Sequence, residues 1–343
     1  MQTKGETMKS RVLEIGVGAG LAVLLAACGG PQAQPTPAAD SATTQSGSQS
    51  PAQNSQAPAE PVPERLDIDY VGDGADEHRL DLFLPTGQGP GPFPLVTWVH
   101  GGGWKSGDKG DIGRAEDIRM VETKQLLLDR GYAVAAPNYR LAPGATFPAP
   151  MHDVAASVRY LRAHAAELGL DPQRFALMGD SAGAHLAAMT ALAPDKADLQ
   201  GSLGETGVDA QVKAFVGYYG IYDLSTRTRD QKQVCGGGKP GAESSHGMLI
   251  GTDPDAPEGQ QKAKAASPVT YVSATSPAVI LFSGRKDCTA PYPQPEEFHQ
   301  ALQKAGATSE LTFIDTEHAD PQFWTDSAIH DKLIAFLDRH VKG

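Results

Sequence analysis

Residues 174–192, RFALMGDSAGAHLAAMTAL, decide the fold of this chain. The apolar first part predicts a strand, and the alanine-rich second part predicts a helix. Between them stands GDSAG, residues 179–183, an instance of the pattern G-x-S-x-G. A sharp turn from strand to helix needs small residues on both sides of a strained serine, so this pattern indicates that Ser181 is a nucleophile. A glycine-rich structural turn is the alternative interpretation.

The rest of the folded part, predicted over residues 64–343, continues this alternation of strands and helices. The apolar run FPLVTWVH at 93–100 is typical of a strand buried on both faces. Two stretches at 65–71 and 78–85, with polar residues interleaved, predict an antiparallel pair. Strands alternating with helices imply a mostly parallel sheet covered on both faces, an α/β fold. The glycine-rich stretch at about 224–267 breaks the pattern and is interpreted as a lid-like, irregular insertion.

One long amphipathic helix is predicted over residues 148–170. Val154, Val158 and Leu161 are spaced there so that they share one face. A shorter helix before it is predicted to end at Gly131.

The composition bounds the size of the core and excludes some partners. The chain has 343 residues, 40% of them hydrophobic, enough for one large core or two smaller ones. Its net charge of −12 argues against nucleic acid as a partner, because a phosphate-binding surface needs a basic stripe. No H-E-x-x-H motif and no Cys/His cluster at ligand spacing occurs, so we expect no metal.

The N-terminal part has the composition of an export signal followed by a linker. Basic residues precede a short apolar stretch at 15–27, which predicts a signal peptide over residues 1–27. Residues 25–28, LAAC, resemble the lipobox of bacterial lipoproteins, which implies cleavage before Cys28 and a lipid on its sulfur. An ordinary secretory signal with an incidental cysteine is the alternative. Residues 28–63 predict a disordered tether, so we expect an exported protein anchored to a membrane of the cell envelope.

A serine hydroxyl needs a base to take its proton and a carboxylate to hold that base. His318 directly follows a predicted strand, at the sheet edge where open α/β sheets place their ligands. Asp287 closes the strand AVILFSGRKD in the same way, so the predicted triad is Ser181, Asp287 and His318, in that chain order. The rival acids are expected to be solvated surface charges; they are Asp315, Glu317 and Asp320.

Three consecutive glycines in HGGGW, residues 100–104, follow the predicted strand at 93–100. Attack by a serine on an ester develops a negative oxygen, which backbone N–H groups stabilise. We expect these N–H groups to come from Gly102, Gly103 and Ala182, and we expect His100 to brace the loop. Trp104 either lines a substrate pocket or packs in the core, and the pocket is the expectation adopted here.

Four motifs together resemble the hormone-sensitive-lipase-like branch of the α/β-hydrolases, and most closely its feruloyl and acetyl-xylan esterases. They are HGGGW, PNYRLAP at 137–143, GDSAG, and the stretch from KDCTAP to EEFHQALQKAG at 286–306. The resemblance implies a serine carboxylesterase without a cofactor, acting on short-chain or small aromatic acyl esters. The alternatives are a polysaccharide deacylase, an arylformamidase-type amidohydrolase and a catalytically silent hydrolase-fold binding module.

Two features depart from that family. The acid strand usually continues into His-Gly, and here it continues into Ser283-Gly284, with Cys288 directly after the acid. Export permits a disulfide between Cys235 and Cys288, although the sequence leaves open whether they pair. Such a bridge would tie the insertion beside the active site, and we expect its reduction to lower activity.

Overall fold

The structure, a computed structural model, describes residues 64–113 and 118–343. Within them eight strands form one sheet. The strands are β1 (Glu64–Asp69), β2 (Arg79–Phe83), β3 (Phe93–Val99), β4 (Ala133–Pro137), β5 (Leu170–Asp180), β6 (Ala214–Tyr218), β7 (Ala278–Gly284) and β8 (Ser309–Ile314). The helices are α1 (Ile118–Asp129), α2 (Ala149–Ala163), α3 (Ala165–Leu168), α4 (Ala182–Leu192), α5 (Ala197–Gln200), α6 (Arg227–Cys235), α7 (Ser245–Ile250), α8 (Pro257–Ala265), α9 (Pro293–Ala305), α10 (Gln322–Thr325) and α11 (Ser327–Leu337).

The sheet is mostly parallel, as the alternation of strands and helices predicts. Its strand order is β1-β2-β4-β3-β5-β6-β7-β8. Strands β3 to β8 run parallel to one another, and β2 is antiparallel both to β1 and to β4. The predicted antiparallel opening pair and the predicted α/β fold are therefore confirmed.

Both faces of the sheet are buried under helices. Alternate residues of β5 point to opposite sides, so that Phe175 and Leu177 join one hydrophobic cluster, whereas Ala176 and Met178 join the other. Helices α2, α4 and α9 cover the first cluster, and α1 and α11 cover the second. This burial on two faces explains why the strands are nearly continuous apolar runs.

The strand order reverses between β3 and β5. The chain passes from β3 to β4 on one side, and then crosses back to place β5 on the other side of β3. Val99 at the end of β3 is paired with Gly179 near the end of β5. Ligands of open α/β sheets bind at such a switch point, beyond the carboxyl ends of the strands. Here the glycine loop and the G-x-S-x-G turn meet at that point.

Two sequence-based predictions of local structure are wrong. The helix expected over 148–170 is interrupted at His164, and β5 already begins at Leu170. The stretch 224–267 is not irregular, because it contains the three short helices α6, α7 and α8. Its glycines lie chiefly between α6 and α7, where they do not prevent the helices from forming.

Three predictions concern residues outside the described part of the chain. They are the signal peptide at 1–27, the tether at 28–63 and lipid attachment at Cys28. Within residues 64–113 and 118–343, no helix is long and apolar enough to cross a membrane.

Candidate active site

Ser181 lies in a strained turn between β5 and α4. Its φ of 51° and ψ of −116° place it in a region that a residue with a side chain rarely adopts. A Cβ on Gly179 would lie 2.6 Å from the backbone of Gly183, and a Cβ on Gly183 would overlap the carbonyl of Val99. Both glycines of G-x-S-x-G are therefore required by close backbone approach, as the sequence pattern predicts.

The structure brings Ser181, His318 and Asp287 together in one hydrogen-bonded chain. The Ser181 Oγ lies 2.9 Å from His318 Nε2, and His318 Nδ1 lies 2.7 Å from Asp287 Oδ2. The Nδ1–H faces the carboxylate, so Nε2 carries the lone pair that the serine hydroxyl needs. Asp287 is fully buried, whereas 7% of the surface of Ser181 is accessible to solvent.

Asp287 is held by its own loop. Its Oδ1 accepts hydrogen bonds from the backbone N–H groups of Thr289 and Ala290, at 2.7 and 2.8 Å. Oδ2 is thereby left for His318. This division of the two oxygens fixes the orientation of the carboxylate toward the imidazole.

The rival acids point elsewhere. Asp315 is exposed and pairs with Lys286 at 2.8 Å. Glu317 is also exposed, and Asp320 accepts a hydrogen bond from the backbone of Gln322 at 2.9 Å. None of these three acids is bonded to His318 in the part of the chain that the structure describes.

The glycine loop is shaped to present backbone N–H groups. Gly102 and Gly103 have φ angles of +99° and +63°, a region that favours glycine. The carbonyl of Gly102 is turned into the loop, where it accepts the N–H groups of Lys105 and Ser106 at 3.2 Å each. Among the described residues, the N–H groups of Gly102, Gly103 and Ala182 donate to no other protein group. Their role as an oxyanion hole stays a prediction.

His100 braces this loop from below, in agreement with the sequence-based expectation. Its ring stacks on Tyr139 at 4.2 Å, and its Nδ1 bonds to the carbonyl of Gly101 at 2.9 Å. The Tyr139 hydroxyl donates to the carbonyl of His100 at 2.9 Å, and the Gly101 N–H donates to Asp180 Oδ1 at 3.1 Å. Burial lowers the pKa of His100, which keeps the ring neutral.

The expectation that Trp104 lines a substrate pocket is wrong. Its side chain has no exposed surface. The indole Nε1–H donates to His185 Nδ1 at 3.2 Å, and His185 Nε2 donates to the carbonyl of Ala266 at 2.6 Å. Burial lowers the pKa of His185 to about 4, so the ring is a neutral link in this chain. Trp104 therefore anchors the end of the glycine loop in the core.

A cavity of about 230 Å³ lies beside the glycine loop and the nucleophile turn. Its wall contains Trp98, Met120 and Trp324, together with Gly101, Gly102 and Asp180. Tyr219, which also lines it, contacts the imidazole of His318 edge-on at 4.9 Å. Polar and charged groups, Asp180 among them, share this wall with the aromatic rings. The aromatic part suits a small acyl or aromatic group.

Sequence reasoning did not single out Tyr219 or Trp324. Tyr219 follows β6 as Ser181 follows β5, so its position at a strand end is the signal that would have indicated it. Trp324 lies in the short helix α10, which no periodic pattern predicts. In the described ranges there is also no group of three or more His, Cys, Asp or Glu side chains arranged to hold a metal ion.

Comparison with known proteins gives consistent results. Residues 80–302 match the BD-FAE family. Esterase LipQ of Mycobacterium tuberculosis is 31% identical over 78% of this chain and 59% of its own length, so the chain spans about three fifths of that relative.

Two solved structures share the fold. A truncated carbohydrate esterase from gut microbiota has a TM-score of 0.73 at 24% identity, covering 84% of this chain and 99% of that one. A bifunctional GH43-CE protein of Bacteroides eggerthii has a TM-score of 0.71 at 29% identity, covering 81% and 35%. Both superpose on the α/β-hydrolase architecture described above.

Proposed function

The chain belongs to the BD-FAE family and has the α/β-hydrolase fold, and from the geometry of its site we propose that it is a serine carboxylesterase. The observation that carries the proposal is the hydrogen-bonded chain from Ser181 through His318 to Asp287, at 2.9 and 2.7 Å. It lies at the switch point of the sheet, where this fold places its ligands. The named esterase activity of the relatives supports it.

The first half of the reaction transfers the acyl group to the enzyme. Ser181 Oγ attacks the ester carbonyl carbon while His318 Nε2 takes the hydroxyl proton. The carbonyl oxygen becomes an oxyanion, which we expect the N–H groups of Gly102, Gly103 and Ala182 to bind. The imidazolium, stabilised by Asp287, then gives its proton to the departing alcohol, and the acyl-enzyme remains.

The second half returns the serine. His318 takes a proton from a water molecule, whose oxygen attacks the acyl carbon. The second tetrahedral intermediate collapses, the carboxylic acid leaves, and the proton returns to Ser181 Oγ. No cofactor is required, since every proton is carried by His318.

For the substrate, we propose a short-chain or small aromatic acyl ester. The cavity of about 230 Å³ is lined in part by the rings of Trp98, Tyr219 and Trp324, which suit a small acyl or aromatic group. Acyl groups carried by a polysaccharide are the second candidate, because one solved neighbour is named as a carbohydrate esterase. The arylformamidase and silent-module alternatives have no observation of this kind in their favour.

We also propose that the enzyme works at the cell envelope. The support is the LAAC sequence at 25–28, with Cys28 as the lipid-bearing residue, and the Pro- and Gln-rich composition of 28–63. Such an anchor would hold the domain near extracytoplasmic esters. Labelling with a radioactive fatty acid in wild type and in Cys28→Ser tests this point, since only the wild type is expected to carry the label.

The test of the activity is an ester panel. Initial rates are measured for p-nitrophenyl esters of increasing chain length, methyl ferulate and acetylated xylan. Ser181→Ala is expected to lose on the order of 10⁶ in kcat. Ser283→Ala is the matched control, because Ser283 is another buried serine near the carboxyl end of a strand, β7, which lies two strands from β5 in the sheet. Equal rates in Ser181→Ala and wild type, or no hydrolysis of any ester, would overturn the proposal.

A further inference from the structure

One face of α6 is fastened to the loop that carries the triad acid. Arg227, Gln231 and Cys235 are spaced four residues apart, so they lie one above another on the helix. All three contact Cys288 or Thr289, the two residues that follow Asp287.

The three contacts differ in kind. Arg227 donates from Nε and Nη2 to the carbonyl of Thr289, at 3.2 and 3.0 Å. Gln231 Nε2 donates to the carbonyl of Cys288 at 3.0 Å. Cys235 forms a disulfide with Cys288, with their Cα atoms 5.8 Å apart. Helix α6 is therefore held to the loop that follows Asp287 by one charged hydrogen-bonding side chain, one neutral hydrogen-bonding side chain and one disulfide.

Thr289 connects Arg227 to the triad. Its carbonyl accepts the guanidinium of Arg227, and its N–H donates to Asp287 Oδ1 at 2.7 Å. This carbonyl shares a planar peptide unit with the N–H of Ala290, which also donates to Asp287 Oδ1, at 2.8 Å. Holding the carbonyl therefore fixes the direction of an N–H group that binds the carboxylate facing His318. Loss of the guanidinium leaves that carbonyl with a 3.5 Å contact to Gln231 Nε2, so this peptide unit can rotate although Cys288 stays held by Gln231 and the disulfide.

Arg227 is also a buried cation that acts on the Asp287 anion without forming an ion pair with it. It is only 4% exposed, and among the described residues no carboxylate lies within 4.0 Å of its guanidinium. Burial lowers its pKa to about 10, and the Asp287 carboxylate opposes that shift, so the guanidinium is charged at neutral pH. Its charge therefore acts on Asp287 through a low-dielectric interior.

The other titratable groups around Arg227 are accounted for. From α7, His246 Nδ1 lies 2.7 Å from Nη1, and burial together with Arg227 lowers the pKa of His246 to about 3, which keeps that ring neutral. From α6 itself, Asp230 is paired with Arg229 and bonded to Gln294. The remaining contact on Nη1 is the hydroxyl of Ser245 at 3.0 Å.

We propose that Arg227 is a positioning residue for the triad. It fixes the loop after Asp287 through Thr289, and its positive charge weakens the attraction of the Asp287 carboxylate for protonated His318. The inference rests on the proposed esterase function. Removing the charge strengthens the attraction between the Asp287 carboxylate and a protonated His318. Since a protonated His318 cannot act as a base, the acid limb of the kcat/KM profile moves to higher pH.

The experiment compares Arg227→Met and Arg227→Lys with a matched control, Arg159→Met. Arg159 is also 4% exposed, and it donates to the backbone carbonyls of Gln200, Leu203 and Glu205. Arg227 instead donates to one backbone carbonyl, one hydroxyl and one imidazole nitrogen. Arg159 lies on α2, away from the triad. Its loss likewise removes a buried guanidinium and its hydrogen bonds, but it does not remove a charge that acts on Asp287.

We expect Arg227→Met to raise the acid limb by about one pH unit and to lower kcat at least about tenfold with little change in KM. Arg227→Lys keeps the charge but not the two-pronged bond, so the limb stays in place while kcat falls. Arg159→Met leaves the limb unmoved. A limb that does not move in Arg227→Met, or one that moves as far in Arg159→Met, overturns the proposal.

Two measurements keep this result separate from the esterase question. If the wild type hydrolyses no ester, the proposed function fails. The inference is then decided by NMR titration of the His318 ring: a midpoint at higher pH in Arg227→Met than in wild type supports it, and an unchanged midpoint overturns it. If Arg227→Met does not fold, Arg227→Lys decides it. A tenfold loss of kcat at unchanged KM supports the positioning role, and a wild-type kcat overturns it.

Discussion

Asp287→Asn is the substitution that most sharply tests how the acid is held. An asparagine has one oxygen and one NH₂ group where the aspartate has two acceptors. Asp287 Oδ1 accepts two backbone N–H groups, from Thr289 and Ala290, and Oδ2 accepts one proton, from His318. The two possible orientations of the amide therefore differ in what they leave unsatisfied.

If the NH₂ group faces the loop, two buried N–H groups lose their acceptor, at about 1–3 kcal/mol each. If the NH₂ group faces His318, only one contact is lost, and the imidazole relieves it by moving its proton from Nδ1 to Nε2. The second orientation is favoured, so the fold survives. In that tautomer Nε2 donates toward Ser181 instead of accepting its proton, and we expect kcat to fall by about 10⁴.

The assay is kcat for p-nitrophenyl acetate at pH 7, with the thermal midpoint measured beside it to show that the variant is folded. Asp315→Asn is the control, because Asp315 is an exposed rival acid paired with Lys286. We expect wild-type kcat from the control. A kcat for Asp287→Asn within tenfold of wild type, or an equal loss in Asp315→Asn, would refute the reasoning.

Three further predictions concern the loop, the disulfide and pH. Gly102→Ala places a Cβ against the backbone of the following turn, so we expect kcat to fall by about 10² or more. Gly103→Ala meets only ordinary contacts, and we expect it to cost about 1 kcal/mol of backbone strain. Equal kcat values for the two variants would contradict this. Cys235→Ser removes a disulfide between residues 53 positions apart, and we expect it to lower the free energy of unfolding by up to about 4 kcal/mol. Urea titration measures this change, and Cys288→Ser should give the same result. A wild-type urea midpoint in either variant would argue against the disulfide. Burial lowers the pKa of His185 to about 4. Between pH 6.5 and 4, His185 therefore binds a proton in the unfolded chain but stays neutral in the folded chain. Stability should then fall by about 3 kcal/mol between pH 6.5 and 4, with a shallower decline in His185→Gln; parallel declines would contradict this origin.

The parts of the site that lie at strand ends could be predicted from the sequence. Ser181, Asp287 and His318 each follow an apolar run, and the carboxyl ends of parallel strands meet at one edge of the sheet. Gly179 and Gly183 were predictable for a related reason, because the sharp turn requires small residues wherever it occurs. Local pattern and global fold agree at these positions.

The parts that were misassigned, or for which the sequence predicted nothing, depend on contacts between distant segments. The direction of Trp104 is set by a positive φ of 62° and by His185, a residue 81 positions further along the chain. The spacing of Arg227 and Gln231 is visible in the sequence, but their partners at 288–289 lie more than 55 positions away. No periodic pattern encodes such a pairing, so only the folded structure shows it.

The most direct test of the central claim is covalent labelling by diisopropyl fluorophosphate. The activated Ser181 oxygen should displace fluoride and take up one phosphoryl group per chain, because His318 lies 2.9 Å away to accept its proton. Peptide mass spectrometry should place the label on residues 175–196, with ester hydrolysis lost in proportion. A label on another residue, or full activity in a fully labelled protein, would contradict the account.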